Sequence, residues 1–164
     1  MKKKILPNFH EILYQLIQFR IHQFNTSKEI LGIDYDSFMI CSVVAAHFNF
    51  NNLKLNKEID WDESWKLARS NTDTSILKKD KLTIFAVSQI LNMPKESVRR
   101  KVITLVKKKI LKHTTRVGII YGDKIENFKP FAIKEVKALS IFLKSLKKNN
   151  SLEQLLEFEE KDLG

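Results

Sequence analysis

The stretch that decides the fold runs from Leu82 to Leu105 and reads LTIFAVSQILNMPKESVRRKVITL. It holds two apolar segments of helical periodicity, the first ending at Leu91 and the second beginning after Pro94. Asn92 and Met93 form the turn between them, and proline suits the first turn of a helix because no intrahelical N–H is lost there. Two helices joined by about three residues predict a helix-turn-helix.

The second helix, predicted from Pro94 to Lys109, has one apolar face and one polar face. Arg100 lies at about 200° from Val98 on a helical projection, while Arg99 lies on the flank at about 100°. The residues expected to form the buried stripe, which fall within about 60° of one another on that projection, are Val98, Val102 and Leu105.

A hairpin is predicted directly after this helix. Residues Ile110 to Tyr121 include β-branched residues on both sides of Thr114. Gly118 lies within this segment, and Gly122 directly follows it. Such a pattern favours two short antiparallel strands.

The charge of the chain is unevenly distributed along its 164 residues. The formal net charge is +10, and residues 81–116 hold ten basic residues and one acid. The other segments are nearly balanced in charge. Residues 1–50 hold five basic and four acidic residues, residues 51–80 hold six of each, and residues 117–164 hold eight of each. Such an excess indicates a polyanion-binding surface, so double-stranded DNA is the predicted partner. The alternative is that these basic residues only keep a helix solvated.

Residues 81–121 resemble bacterial winged helix-turn-helix transcriptional regulators, the broad class that includes the MarR and GntR families. The resemblance is carried by Ala86, Ile90-Leu91, Asn92-Met93-Pro94, Ser97-Val98-Arg99-Arg100-Lys101-Val102 and Leu105. It implies regulation of transcription through sequence-specific DNA binding, with the second helix as the recognition helix and the hairpin as the wing. Glycine normally follows the recognition helix in this class, whereas Lys109 holds that place here.

The outward face of the recognition helix supplies the candidate DNA contacts. A helix in the major groove presents its N-terminal outward face to base edges, so Arg100 is the candidate for bidentate contact with guanine. Glu96 could accept from a cytosine amino group or pair with Arg100 four residues on, and Ser97 and Thr104 could contact bases or phosphates. The remaining candidates, mainly for phosphates, are Lys95, Arg99, Lys101, Lys107, Lys108, Lys112 and Arg116.

The predicted architecture is mostly α, with a winged helix-turn-helix core flanked by N-terminal and C-terminal helices. Residues 1–33 form an N-terminal dimer or scaffold helix, 34–127 the DNA-binding domain, and 128–164 the C-terminal helices. Helices are predicted over 8–25, 36–48, 60–69, 83–91, 131–148 and 151–161, the last capped by Ser151. The first of these helices is expected to end at Asn25 to Ser27, and the second at Asn49 to Asn52. The amphipathic helices 8–25 and 131–148 are candidate homodimer seams, although packing within one chain explains the same pattern.

No enzyme, cofactor or metal site is predicted. Cys41 is the one cysteine and is expected to be a buried free thiol. The four histidines lack metal-ligand spacing, and the chain has neither a glycine-rich phosphate loop nor a glycine-flanked serine nucleophile. No segment approaches the roughly 18 apolar residues of a membrane span, and no apolar segment follows the basic start Met1 to Lys4. We therefore expect a cytoplasmic protein without a membrane partner.

Two questions stay open at the level of the sequence. The abundant aromatic residues of the first half could build a core or dimer interface, or line a pocket for a small-molecule effector, with Tyr14, Trp61 and Trp65 as the first pocket candidates. The alternatives to a transcriptional regulator are a low-specificity nucleoid or replication protein that binds DNA, and a winged-helix module that binds another protein.

Overall fold

The computed structural model describes residue 6 and residues 8–54, 58–70 and 81–159. This part of the chain is mostly helical and contains a two-stranded antiparallel hairpin, as predicted. The elements in chain order are α1 (Phe9–Leu31), α2 (Tyr35–Leu53), α3 (Trp61–Ser70), α4 (Ile84–Leu91), α5 (Lys95–Lys107), β1 (Leu111–Thr114), β2 (Gly118–Tyr121), a 3-10 turn (Ile125–Asn127), α6 (Phe128–Lys148) and α7 (Ser151–Leu156).

Helix α2 is the centre of the core. Its N-terminus is capped by Asp34, whose carboxylate accepts a hydrogen bond from the backbone N–H of Ser37 at 2.9 Å. The helix contacts α1, α4, α5 and β2. Ile40 is fully buried and Val44 is 2% exposed. The apolar character of this helix is therefore largely explained by neighbours on several sides, while Phe50 near its end is 58% exposed.

The predicted turn between α4 and α5 is confirmed. Thr83 caps α4 by accepting a hydrogen bond from the N–H of Ala86 at 3.1 Å. Asn92 adopts a left-handed conformation with φ of 49°, and Met93 N–H donates to the carbonyl of Ser88 at 3.0 Å. Asparagine is one of the few residues that tolerate this conformation, so the chain can reverse direction without glycine.

The inward stripe of α5 is also confirmed. The helix ends where Lys109 takes a left-handed conformation with φ of 60°, and Ile110 N–H then donates to the carbonyl of Leu105 at 3.0 Å. This is the bond pattern that glycine usually permits at the end of a helix. The three stripe residues and their exposed fractions are Val98 at 0%, Val102 at 0% and Leu105 at 1%.

Strand β2 of the hairpin is hydrogen-bonded to the extended backbone at Leu82, just before α4. In the hairpin Leu111 lies opposite Tyr121, and the N–H of Ile119 donates to the carbonyl of Leu82 at 2.8 Å. Gly118 has φ of +82°, and a Cβ atom there would lie 2.4 Å from the Leu82 carbonyl oxygen. Only glycine permits both this conformation and this close approach.

Helices α1 and α6 form a long antiparallel pair. Gln23 donates to a carboxylate oxygen of Glu135 at 2.6 Å, and Asn8 donates to the carbonyl of Asn149 at 2.8 Å. The start of α1 therefore lies near the end of α6, and later residues of α1 contact earlier residues of α6. An edge-on contact between the rings of Phe38 and Phe131, with centroids 5.7 Å apart, joins this pair to α2.

Two polar stretches that were expected to end helices lie inside them instead. Thr26 and Ser27 are buried within α1, where the Ser27 hydroxyl donates to the carbonyl three residues earlier at 2.8 Å. The helix ends at Gly32, which has φ of 60°. Within α2, Asn51 is buried and Asn49 donates to the carbonyl four residues earlier at 2.9 Å. These polar groups bond to their own helix and therefore do not interrupt it.

The C-terminal helices also differ from the predicted bounds. Helix α6 begins three residues earlier than predicted, and Pro130 lies in its first turn, where a missing N–H costs no hydrogen bond. Helix α7 ends at Leu156. The prediction that Ser151 caps this helix is wrong, because no side chain makes a capping hydrogen bond. The Ser151 hydroxyl instead donates to the Asn149 carbonyl at 3.5 Å. Residues 160 and 161 of the predicted helix lie outside the described residues. No single helix in the described ranges is both long and apolar enough to cross a membrane.

Candidate nucleic-acid interface

The face of α5 opposite its buried stripe is exposed and basic. Arg100 and Lys107 lie on this face at about 200° and 180° from Val98 and are exposed, while Lys95 is exposed at the first residue of the helix, at about 60°. Arg116 is exposed in the turn of the neighbouring hairpin. None of these four cations has a hydrogen bond or ion pair with a described residue. They are therefore available to an external polyanion.

Other basic residues of segment 81–116 are bonded within the chain. Lys108 Nζ donates to the carbonyl of Gly32 at the end of α1, at 2.8 Å. Lys81 Nζ donates to the carbonyl of Thr115 in the hairpin turn, at 3.1 Å. These two lysines connect α5 and the hairpin turn to the rest of the molecule, so phosphate contact by Lys108 would compete with an existing hydrogen bond.

Lys101, predicted to contact phosphate, is paired with acids at the start of α2. Its Nζ donates to Asp34 and lies 3.7 Å from a carboxylate oxygen of Asp36. The hydrogen bond from Lys101 is the largest cause that lowers the pKa of Asp34 to about 2. Because an unpaired aspartate titrates near pH 4, the pair contributes its full stability above that pH and loses it as the pH falls through about 2.

Glu96 pairs with Arg99 and not with Arg100. The Nε and Nη2 atoms of Arg99 donate to the two Glu96 oxygens at 2.8 and 2.6 Å. Hydrogen bonding by Arg99 is the largest cause that lowers the pKa of Glu96. Both carboxylate oxygens are therefore engaged, and contact between Glu96 and a cytosine amino group would require this pair to open. The arrangement leaves the Arg100 guanidinium without a hydrogen-bond partner in the described chain.

At the base of the hairpin, Lys112 is held by an acid from the segment after β2. Its Nζ lies 2.5 Å from a carboxylate oxygen of Asp123. This hydrogen bond is the largest cause that lowers the pKa of Asp123. Three acids thus lie beside the basic segment and reduce its positive charge. Asp123 lies at the base of the hairpin, and Asp34 and Asp36 lie at the start of α2.

A groove of 510 Å³ separates one side of α5 from the corner between α1 and α2. Ser97 and Thr104 line this groove together with Asp34 and Asp36. The Thr104 hydroxyl donates to the carbonyl of Arg100 at 3.1 Å. Arg100 lines the same groove, so Ser97, Thr104 and Arg100 lie where the basic face meets these carboxylates.

Ile103 belongs to the exposed face of α5 although it was absent from the predicted contacts. Its side chain is 39% exposed. It lies at about 140° from Val98 on the helical projection, between the Arg99 and Glu96 directions. The same projection that selected Arg100 would have found it, but only charged and polar residues were considered.

The aromatic candidates for an effector pocket do not converge. Tyr14 is 58% exposed on α1, while the rings of Trp61 and Trp65 contact each other on α3 with centroids 5.7 Å apart. Stacked Phe19 and Phe142 instead line a groove of 530 Å³ between α1 and α6. Many aromatic rings of the first half therefore serve packing between helices.

Cys41 is a buried free thiol, as predicted. Burial raises the pKa of this thiol to about 12, so it stays protonated at neutral pH. Within the described residues, no group of three or more histidine, cysteine, aspartate or glutamate side chains could hold a metal ion.

Comparisons with protein-family models, with curated proteins and with solved structures each found no match to this chain. Its function is therefore inferred from the arrangement and chemistry of its own residues.

Proposed function

We propose that residues 34–127 form a winged helix-turn-helix domain that binds double-stranded DNA sequence-specifically and regulates transcription. In this proposal α5 is the recognition helix and the β1–β2 hairpin is the wing. The observation that carries it is that two cations without an ion-pair partner in the described chain, Arg100 and Lys107, lie on the face of a helix opposite its buried stripe, with unpaired Lys95 at the start of that helix. Arg116 extends this basic surface to the hairpin turn.

The bonds around α5 support a preorganised recognition element. The helix is held by its buried stripe, by Lys101 at the α2 corner and by Lys108 at the end of α1. A free guanidinium on a rigid helix suits bidentate contact with the O6 and N7 atoms of guanine, which makes Arg100 the main base-reading residue. Lys95, Lys107 and Arg116 suit phosphate contacts, which set the position of the helix without reading sequence.

Binding-site selection from a random duplex pool, followed by salt titration on the selected site, tests the proposal. We expect a shared motif and a slope of log K against log salt of about −3 per protomer, because three cations, Lys95, Lys107 and Arg116, would neutralise phosphates. Duplex binding without any shared motif would support the low-specificity nucleoid or replication protein instead. A protein that is not retained on duplex or heparin at low salt contradicts DNA binding altogether.

Ile103 is expected to read the methyl group of thymine, because an exposed aliphatic side chain on a groove-facing helix suits that contact. Replacing one thymine of the selected site with uracil removes only this methyl group. The parent protein should then bind about threefold to fivefold more weakly, which is the effect of about one buried methyl group. Ile103→Ala should bind the thymine and uracil sites equally, as measured by fluorescence anisotropy.

A control site with uracil outside the selected motif should bind both proteins unchanged. If Ile103→Ala keeps the same discrimination against uracil as the parent, Ile103 does not contact the methyl group, while the DNA-binding proposal stands.

Asp34→Asn is expected to strengthen binding to every duplex by about twofold to fivefold and to steepen the salt slope by up to about one unit, because Lys101 would keep only the longer 3.7 Å contact with Asp36 and one acid beside the basic face would be removed. Asparagine caps helices as well as aspartate, so α2 should keep its N-cap. The matched control is Asp62→Asn, which makes the same charge change on α3, where Asp62 lies 3.8 Å from Lys129. Equal effects of the two variants on duplex binding would show that the gain comes from net charge alone and not from the loss of the Asp34–Lys101 pair.

Binding of another protein remains the second candidate function, because α4 has an apolar outer face. This helix contains no charged residue, and Phe85 and Ile90 are 58% and 62% exposed. If the chain is such a module, Phe85→Ser should abolish capture of its partner, whereas Arg100→Ala should not. The duplex-retention experiment separates this candidate from the DNA-binding proposal.

A further inference from the structure

A cavity of 130 Å³ lies between α2, α3 and strand β2, away from the exposed face of α5. Its inner wall is apolar and is formed by Val44 and Phe48 of α2 together with Ile119 of β2. All three side chains are buried. A cavity of about 150 Å³ takes up benzene, so this one has room for an apolar group of about four to six carbon atoms.

Charged side chains of both signs stand toward the opening of the cavity. Arg69 of α3 and Lys112 of β1 line it together with Asp123, which follows β2. Their side chains are 51%, 39% and 66% exposed, whereas the apolar wall is buried. The cavity therefore presents two cations and one carboxylate beside an apolar wall. This combination suits a small molecule that carries an anionic group, a cationic group and an apolar body.

The ion pairs at the opening leave bonding capacity for such a molecule. Arg69 contacts Glu126 through its Nε atom at 3.0 Å, which leaves its terminal amino groups for bidentate contact with a second carboxylate. Lys112 Nζ lies 2.5 Å from Oδ1 of Asp123, and the other oxygen of that carboxylate can accept from an ammonium group. A zwitterion therefore adds to these pairs and does not have to break them.

The Tyr121 hydroxyl is a further polar group without a partner. Tyr121 lines the cavity, and its ring packs against that of Phe48 with centroids 5.4 Å apart. The hydroxyl has no hydrogen bond with a described residue, although a largely enclosed tyrosine usually has one. Burial raises the pKa of Tyr121 above its ordinary value, so the hydroxyl keeps its proton and can donate to a ligand.

We propose that this cavity binds a small aliphatic α-amino acid of about the size of leucine. The branched side chain lies against the apolar wall, the α-carboxylate contacts Arg69 and the α-ammonium group contacts Asp123. A plain carboxylic acid fits less well because Asp123 repels it, and a plain amine fits less well because Arg69 and Lys112 repel it.

Helix α3 closes one side of the cavity without belonging to the core. It contributes Ala68 and Arg69 to the lining, yet none of its residues is buried. Its ion pairs with other described elements are those of Arg69 with Glu126 and of Asp62 with Lys129, both largely exposed. Exposed pairs of this kind are individually weak, so displacement of α3 gives a ligand a way in. A bound amino acid then joins α3 to α2 and β2.

Isothermal titration calorimetry of the full chain with L-leucine tests the proposal. We expect a dissociation constant between about 10 µM and 1 mM, which is ordinary for a ligand of about nine non-hydrogen atoms. Isocaproate and isoamylamine, which are leucine without its ammonium group and without its carboxylate, should each bind at least about 10-fold more weakly, because each loses one charge-assisted contact. A parent protein that gives no heat with leucine, or that binds isocaproate as tightly as leucine, overturns the proposal.

Arg69→Gln and Lys66→Gln form a matched pair of variants on α3. Arg69→Gln should weaken leucine binding by about 10-fold to 100-fold, because it removes the bidentate contact with the α-carboxylate. Lys66 is exposed and does not line the cavity, so Lys66→Gln should bind leucine like the parent protein. Asp123→Asn should bind leucine and isocaproate about equally, since it removes the partner of the ammonium group. Equal effects of the two α3 variants, or unchanged discrimination in Asp123→Asn, contradict the assigned orientation of the ligand.

Ala68→Leu provides a test that changes no charge. It places a side chain of the size of the ligand's own in the cavity, and leucine is a good helix former, so α3 should persist while leucine binding is lost. A variant that still binds leucine like the parent protein overturns the assignment to this cavity.

Tryptophan emission gives an independent measurement, because both tryptophans of the chain, Trp61 and Trp65, lie on α3. Saturating leucine should shift this emission to shorter wavelength, since the bound ligand holds α3 against α2 and β2. An emission that leucine leaves unchanged at saturation contradicts the part assigned to α3. None of these measurements contains a duplex, so their outcome is independent of the proposed function.

Discussion

Arg100→Ala is expected to reduce the preference of the protein for its selected site over random duplex by about 5-fold to 150-fold, the range of about 1–3 kcal/mol associated with one bidentate base contact. Arg100 is the cation in the middle of α5 that has no hydrogen-bond partner in the described chain, whereas Arg99 is held by Glu96. The loss should therefore be confined to the base pair that Arg100 contacts. Competition binding with single-base variants of the site measures this directly.

Lys107→Ala and Arg100→Lys are the matched controls. Lys107→Ala should weaken binding to all duplexes about equally and reduce the salt slope by about one unit, because a phosphate contact carries no sequence information. Arg100→Lys keeps the charge but removes the planar pair of donors, so it should lose most of the base preference. If Arg100→Ala keeps the same preference as the parent protein, the groove assignment of α5 is wrong.

Gly118→Ala is expected to lower the free energy of unfolding by about 3 kcal/mol or more. Two costs add at this position. A left-handed conformation costs an L-residue about 1–2 kcal/mol, and Gly118 has φ of +82°. A Cβ atom would also lie 2.4 Å from the Leu82 carbonyl oxygen, which accepts the hydrogen bond from Ile119. Urea denaturation followed by circular dichroism measures the change.

Gly32→Ala carries only the first cost, so the difference between the two variants isolates the second. Gly32 has φ of +60°, but a Cβ atom there would have no atom within 4 Å. Its substitution should cost only about 1–2 kcal/mol, the cost of the left-handed conformation for an L-residue. An equal loss of stability in both variants would show that contact between β2 and Leu82 is not tight. The hairpin would then be less firmly attached than the structure indicates.

The helix pair around the Asn92–Pro94 turn could be predicted because its determinants are local. Asparagine tolerates the left-handed conformation, and proline in a first turn is compatible with the start of a helix. The buried stripe of α5 follows from the 3.6-residue period alone, and Val98 is fully buried. The hairpin likewise has its strands and turn within one segment. Interactions between near neighbours in the chain therefore determined these elements.

The ends of α1 and α2 could not be predicted in the same way. Ser27 and Asn51 favour turns when they are exposed, but in the structure they are buried by neighbouring helices. The burial depends on contacts between distant segments. For Ser27 it follows the packing of α1 against α6, which lies more than a hundred residues further along the chain.

The sequence by itself determined the location of the basic segment, the turn between α4 and α5, and the inward face of α5. Tertiary structure decided which of the ten basic residues in segment 81–116 remain available. Folding brings Asp34 and Asp36 to Lys101 and Asp123 to Lys112, although the segments that contain these acids are nearly balanced in charge. Electrostatic attraction depends on distance in space, and no count of charges along a chain contains that distance.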